Sequence, residues 1–377
     1  MASPPKEPPQ TLLGPIAQVA LLLATAVLLA LPSIDWAWGI DPTPAPQENR
    51  VLAKEPAAPV SLEQVAKWPA LFEAWFKDHF GLRNSLIAWH SSLMLDVLGV
   101  SPSKDVLIGK GGWLYLGATK NVDAYRCLAP YTPDELKIQV AEATRRQAWL
   151  SKRGIRYGHV WVPIKANIYP EFLPDGLKKL DQPCRLPQWI DAVGKAGVPV
   201  LDLTQALAEA KKNTSDRLYY RTDTHWNPRG AWLGYQAMAP WLKGLAPEAR
   251  ILTDAEVGFR MLRNPGGDLA RLLDLPERYA AVDPFLSFKI QLSREVPPQV
   301  QAPKGVNLRA FDCPGCGKLR AVLLHDSFGN HLRPYLAESF GHLLAAEFSA
   351  FDQALLEAER PDVVLEVHLE RQLTPDR

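Results

Sequence analysis

Beyond residue 61 the apolar positions fall into two alternating kinds of segment. Short, nearly continuous apolar runs occupy residues 155–162, 198–203, 319–324, 342–348 and 363–367. Runs of that length with no polar alternation predict strands covered on both faces. Between them, residues 133–152, 187–196, 228–242, 331–340 and 350–359 are apolar at three- and four-residue spacing, which predicts amphipathic helices. Several of these begin at proline, whose missing N–H costs nothing in the first helical turn. Strand and helix in alternation predict an α/β fold with a doubly wound parallel sheet, whose ligand sites lie at the carboxyl ends of the strands.

The N-terminal pattern differs. Residues 12–31 are almost wholly apolar, and no charge stands between Glu7 and Asp35. Twenty helical residues rise about 30 Å, the thickness of one hydrocarbon core. The segment therefore predicts a transmembrane anchor with a cytoplasmic tail at 1–11, ending at Pro32. A cleaved signal peptide is the alternative, with Ala37-Trp38-Gly39 as its small-x-small site. On either reading the body lies outside the cytoplasm. Residues 32–60, rich in proline and alanine, predict a linker, and 61–377 one large α/β domain.

Composition narrows the choice of chemistry. The net charge is +1 and no Lys/Arg block occurs, which excludes a nucleic-acid partner and gives no strong field for a polyanion. Of the 12 tryptophans, Trp226 is placed to stack on a sugar face, while Trp36 and Trp38 suit a membrane interface. Cys313 and Cys316 form a Cys-x-x-Cys with no second metal-binding pair. An oxidising compartment favours a short disulfide there, and Cys127 with Cys184 can form another.

The catalytic signal lies in two short stretches. Asp326-Ser327-Phe328-Gly329-Asn330 follows the apolar run at 319–324, where a strand should turn into a helix and the next N–H groups can face an oxyanion. Upstream stands Asp223-Thr224-His225, whose outer residues project to one side of an extended chain. A serine hydroxyl needs an imidazole to take its proton and a carboxylate to fix the tautomer. Asp223, His225 and Ser327 supply the three roles, and Asp326 stiffens the turn. Gly329 N–H and the Asn330 side chain are the nearest oxyanion candidates, and Lys165 and Tyr169 the substrate-contact candidates. A metallophosphoesterase reading would use Asp223, His225, Asn330 and His331 as ligands, but its Asp-rich segment is missing, so no metal and no cofactor is expected.

These motifs resemble the SGNH hydrolase-like O-acetyltransferases of alginate and related exopolysaccharides, the AlgJ/AlgX type. The resemblance extends from Phe72-Glu73-Ala74-Trp75-Phe76 through Gly109-Lys110-Gly111-Gly112-Trp113-Leu114-Tyr115, Val162-Pro163-Ile164-Lys165 and Gly267-Asp268-Leu269 to Pro361-Asp362-Val363-Val364-Leu365-Glu366. It implies the SGNH fold in circularly permuted motif order, with Asp and His before Ser, and acyl transfer through an acetyl-serine. It also implies a membrane-bound O-acyltransferase as acetyl source, an exported polysaccharide as acceptor, other polysaccharide biosynthesis and export proteins as partners, and anchorage in a bacterial inner membrane with the catalytic domain in the periplasm. No carbohydrate-binding module is expected after the strand at 363–367. One departure stands out: the family's glycine before Asp-Ser is His325 here, which leaves the shape of the turn open. A de-acetylating esterase, or a non-catalytic export subunit, are the alternatives.

Overall fold

The computed structural model describes residues 14–41, 51–348 and 351–375. The tail at 1–11, Leu12 and Leu13 of the expected anchor, and part of the expected linker lie outside them. One compact unit ends at Pro102 and a second begins at Ser103.

The first unit is helical. Helix α1 (Pro15–Trp38) does not stop at Pro32 as expected; it carries that proline inside and closes at Gly39, whose left-handed backbone (φ 59°) lets its N–H reach Asp35. Residues 32–38 are therefore helix rather than linker. Helix α2 (Leu62–His79) starts at Ser61, whose hydroxyl accepts the Gln64 N–H, and α3 (Arg83–Asp96) follows directly.

The second unit opens with a hairpin, β1 (Val106–Ile108) and β2 (Leu114–Leu116), then α4 (Thr119–Arg126) and α5 (Pro133–Ser151). Thr132 and Glu135 close a capping box on α5. The chain continues with β3 (Arg156–Val162), α6 (Lys165–Ile168), α7 (Arg185–Lys195), β4 (Val200–Asp202), α8 (Thr204–Lys212) and α9 (Pro228–Leu245). An antiparallel excursion, β5 (Val257–Asn264) and β6 (Ala281–Phe288), encloses α10 (Asp268–Arg271). Last come β7 (Arg294–Val296), β8 (Asn307–Asp312), β9 (Arg320–His325), α11 (Gly329–Ala337), β10 (His342–Glu347), α12 (Gln353–Glu359) and β11 (Val363–Leu369).

The main sheet has seven strands in the order β4-β3-β11-β9-β10-β8-β7. The strands from β4 to β10 run parallel, and β8 and β7 add antiparallel edges. The expected parallel sheet is present, extended at one edge by two antiparallel pairings. β8 is only half covered, so it shows no continuous apolar run to mark it.

Successive residues of the central strands feed two cores. Leu323, Leu365 and Val367 pack with α9 and α11 on one face, through Trp232, Tyr235, Leu332 and Leu336. Val322, Leu324 and Val364 pack with α5, α7 and α12 on the other, through Leu150, Trp189 and Leu356. Disulfides join Cys127 to Cys184 and Cys313 to Cys316.

Candidate active site

Strand β9 lies between β11 and β10, and its carboxyl end delivers the turn that bears Ser327. Asp326 holds that turn from two sides. Its Oδ1 accepts the Phe328 N–H at 2.9 Å and its Oδ2 the Leu369 N–H at 2.7 Å, tying the Ser327 turn to the end of β11. His325, in place of the family glycine, is fully buried and engages the Asp326 carbonyl through Nδ1 at 2.6 Å. The imidazole fits because position 329 is glycine: a Cβ there would lie 2.4 Å from His325 Cγ. The bulk missing at one position is supplied at the other.

The Asp-x-His segment is a closed loop. A backbone bridge pairs Tyr219 with Trp226, and Tyr220 N–H donates to the His225 carbonyl at 3.2 Å. Asn227 then caps α9, accepting the Gly230 N–H, with Pro228 in the first turn. Lys165 sits beneath the loop, where its Nζ donates to the carbonyls of Tyr220 (3.2 Å), Arg221 (3.3 Å) and Asp223 (2.7 Å). Burial pulls the Lys165 pKa down to about 7 against the charges of Asp223 and Asp268. Gly267 presses on the other side, since a Cβ there would come within 2.3 Å of the Asp223 Cβ.

The two stretches meet. Ser327 Oγ lies 2.8 Å from His225 Nε2, and His225 Nδ1 lies 2.7 Å from Asp223 Oδ1. Asp223 Oδ1 also accepts the His225 N–H and its Oδ2 the Asp268 N–H, both at 2.9 Å. Both ring nitrogens are therefore engaged, with Nδ1–H donating to the carboxylate and Nε2 accepting from the hydroxyl. Trp226 Nε1 donates to the Phe328 carbonyl at 2.9 Å and staples the two stretches together.

The electrostatics follow the geometry. Burial lowers the His225 pKa, but the hydrogen bond and charge of Asp223, with Asp268, outweigh it and raise it. Asp223 is pushed up by burial and held well below the usual carboxylate range by its bonds and charge contact with His225. Asp268, raised by burial and by the charge of Asp223, takes the Thr224 N–H on Oδ1 at 2.8 Å.

Four residues read from sequence as oxyanion or substrate groups have other work. Gly329 N–H donates to the Asp326 carbonyl; Asn330 Nδ2 donates to Glu347 and its Oδ1 accepts from Arg333. Lys165 is buried beneath the loop, and Tyr169 is buried with its hydroxyl accepting the Leu218 N–H. Trp226 faces no sugar, being fully buried between the two stretches. Two further residues belong to the neighbourhood. Asp268 was marked only by its Gly267-Asp268-Leu269 motif. Arg371 carried no signal: its guanidinium is largely buried, its positive charge acts on Asp326, Asp268 and His225, and its Nη1 has no hydrogen-bond partner among the described residues.

Residues 106–303 match the family described as SGNH hydrolase-like domain, acetyltransferase AlgX. A probable alginate O-acetylase AlgJ of Pseudomonas aeruginosa is 28% identical over 273 residues, covering 69% of this chain and 60% of the relative. Its counterpart in Pseudomonas syringae pv. tomato is 27% identical over 181 residues, covering 48% of this chain and 44% of that one. The chain thus spans less than two thirds of the length of either. Bacillus cereus PatB1 shares the fold, with a TM-score of 0.54 at 17% identity over 72% of this chain and 97% of that one.

Proposed function

Because the chain belongs to the AlgX family of SGNH hydrolase-like acetyltransferases, we propose that it moves acetyl groups onto an exported polysaccharide, alginate or a similar polymer, through an acetyl-serine on Ser327. The observation that carries this reading is the unbroken relay from Ser327 Oγ to His225 Nε2 (2.8 Å) and from His225 Nδ1 to Asp223 Oδ1 (2.7 Å).

The chemistry runs in two halves. His225 Nε2 takes the Ser327 proton as Oγ attacks the acetyl carbonyl, and the imidazolium returns that proton to the donor's departing group. A sugar hydroxyl then gives its proton to His225 and attacks the acetyl-serine carbonyl, and Ser327 leaves with the proton back on Oγ. Asp223 stays ionised and stabilises the imidazolium in both halves. In this reading a membrane-bound O-acyltransferase supplies the acetyl group, α1 anchors the chain in the inner membrane, and residues 61–377 work in the periplasm with other export proteins.

Hydrolysis would use the same relay with water as acceptor, so the test must read the polymer itself. Cells carrying Ser327→Ala should export polysaccharide depleted of acetyl groups by proton NMR. Purified Ser327→Ala and His225→Ala should lose roughly 10³-fold or more of acetyl release from a chromogenic acetate ester. Unchanged acetylation would end the transferase reading, and a rise would mark a de-acetylating esterase.

A further inference from the structure

Helix α2 presents a face that its own unit covers only in part, through Trp36 against Trp75 and Ala57 at the Trp68 indole N–H. Val65, Trp68, Phe72, Trp75 and Phe76 recur at three- and four-residue spacing and share one side of the helix. Their rings form a ladder: Trp68 stacks on Phe72 at 4.9 Å between centroids, and Phe72 on Phe76 at 6.0 Å. No α2 residue is buried, and Val65 and Phe76 are 51% and 48% exposed. The other side carries the ion pairs Glu63–Lys67 and Glu73–Lys77. A contiguous aromatic stripe backed by a charged one marks a surface that meets an apolar phase.

The position of that surface is fixed by the last turn of α1. Asp35 accepts the Asp41 N–H on Oδ1 at 2.6 Å and the Leu82 N–H, just past the end of α2, on Oδ2 at 2.7 Å. Gly81 makes the approach possible, since a Cβ there would lie 2.0 Å from the Pro32 carbonyl oxygen and 2.5 Å from Trp36 N. Trp36 then meets Trp75 edge-on at 6.4 Å. The C-terminal ends of α1 and α2 are thereby locked together, and Trp36 and Trp38 stand where tryptophans gather at a membrane surface.

We propose that α2 lies along the lipid headgroup–acyl boundary of the membrane that α1 crosses, aromatic side toward the lipid and ion-paired side toward water. The inference rests on reading α1 as an uncleaved anchor. Continuity selects lipid as the occupant: Trp75 extends the ring belt begun by Trp36, and the aromatic side continues from there along α2. Glu63 is paired with Lys67 and Glu73 with Lys77, and Asp78 accepts the Ala53 N–H, so the contact is apolar and does not depend on anionic headgroups.

Photo-crosslinking in the native membrane tests this with the full chain. p-Benzoylphenylalanine is placed singly at Phe72, at Glu63 on the charged side, and at Leu22 within α1. Phospholipid adducts, read by mass, should form at Phe72 roughly fivefold or more above Glu63, at low and high salt alike. Lipid adducts at Leu22 but not at Phe72 would overturn the proposal while leaving the anchor intact. Loss of adducts at Leu22, with a mature chain beginning near Gly39, would remove the anchor itself. A discrete protein adduct at Phe72 would assign the face to a partner instead of lipid.

Discussion

His225 takes part in two opposed effects, burial and the Asp223 charge, and the charge prevails. The raised pKa has a definite consequence for rate. Only neutral imidazole can accept the Ser327 proton, so activity should fall on acidification at a pH where an ordinary histidine, near 6.5, would still be working. The acid limb of kcat/KM for acetate-ester turnover should therefore lie above 6.5, and a limb below that value would contradict the relay. Lys165 acts at one remove, through the three loop carbonyls it holds. Lys165→Met should lower kcat roughly tenfold or more with KM little changed, because the loop that aims His225 loses its support; a KM effect alone would make Lys165 a substrate contact after all. At this scale the meeting of Asp223, His225 and Ser327 was legible because each half is a local motif. Three of the misread residues take partners that are set in space and distant in sequence: Glu347 for Asn330, the loop carbonyls for Lys165 and Leu218 for Tyr169; Gly329 instead closes the turn onto the Asp326 carbonyl just before it.

Between β9 and α11 the chain exchanges bulk across four positions, His325 filling the space that Gly329 leaves. The pair should behave as a unit. Gly329→Ala alone should destabilise the protein by about 1–3 kcal/mol through the collision with His325 and reduce turnover. Adding His325→Gly should recover much of both, and equal damage in the double variant would show that the two side chains do not compete. Thermal unfolding and ester turnover of the four proteins supply the cycle. Elements themselves were read well where burial on both faces writes a continuous apolar run, as in β3, β9 and β11. Strand direction leaves no such mark, so the antiparallel β7 and β8 were not expected. Pro32 was taken as a stop for α1, yet the helix continues to Trp38.

Across the molecule, strand alternation revealed the layered α/β plan, but not that the middle of the sheet is completed last. β11, flanked by β3 and β9, is the last of the described strands in sequence order, and its Leu369 N–H secures Asp326. During synthesis the N-terminal part of a chain emerges first. Asp223, His225 and Ser327 would all be present on the nascent protein well before β11, while β3 and β9 lack the neighbour that joins them. A chain ended at Asp362 should accordingly carry the whole triad yet turn over no acetate ester and lack a cooperative unfolding transition, whereas activity in such a chain would mean that the nucleophile turn stands without β11. On the proposed function, reactivity should thus wait on β11: a chain interrupted before it holds Ser327 and His225 without the strand that secures Asp326, and the strand that joins the two halves of the sheet would also serve as the release for chemistry.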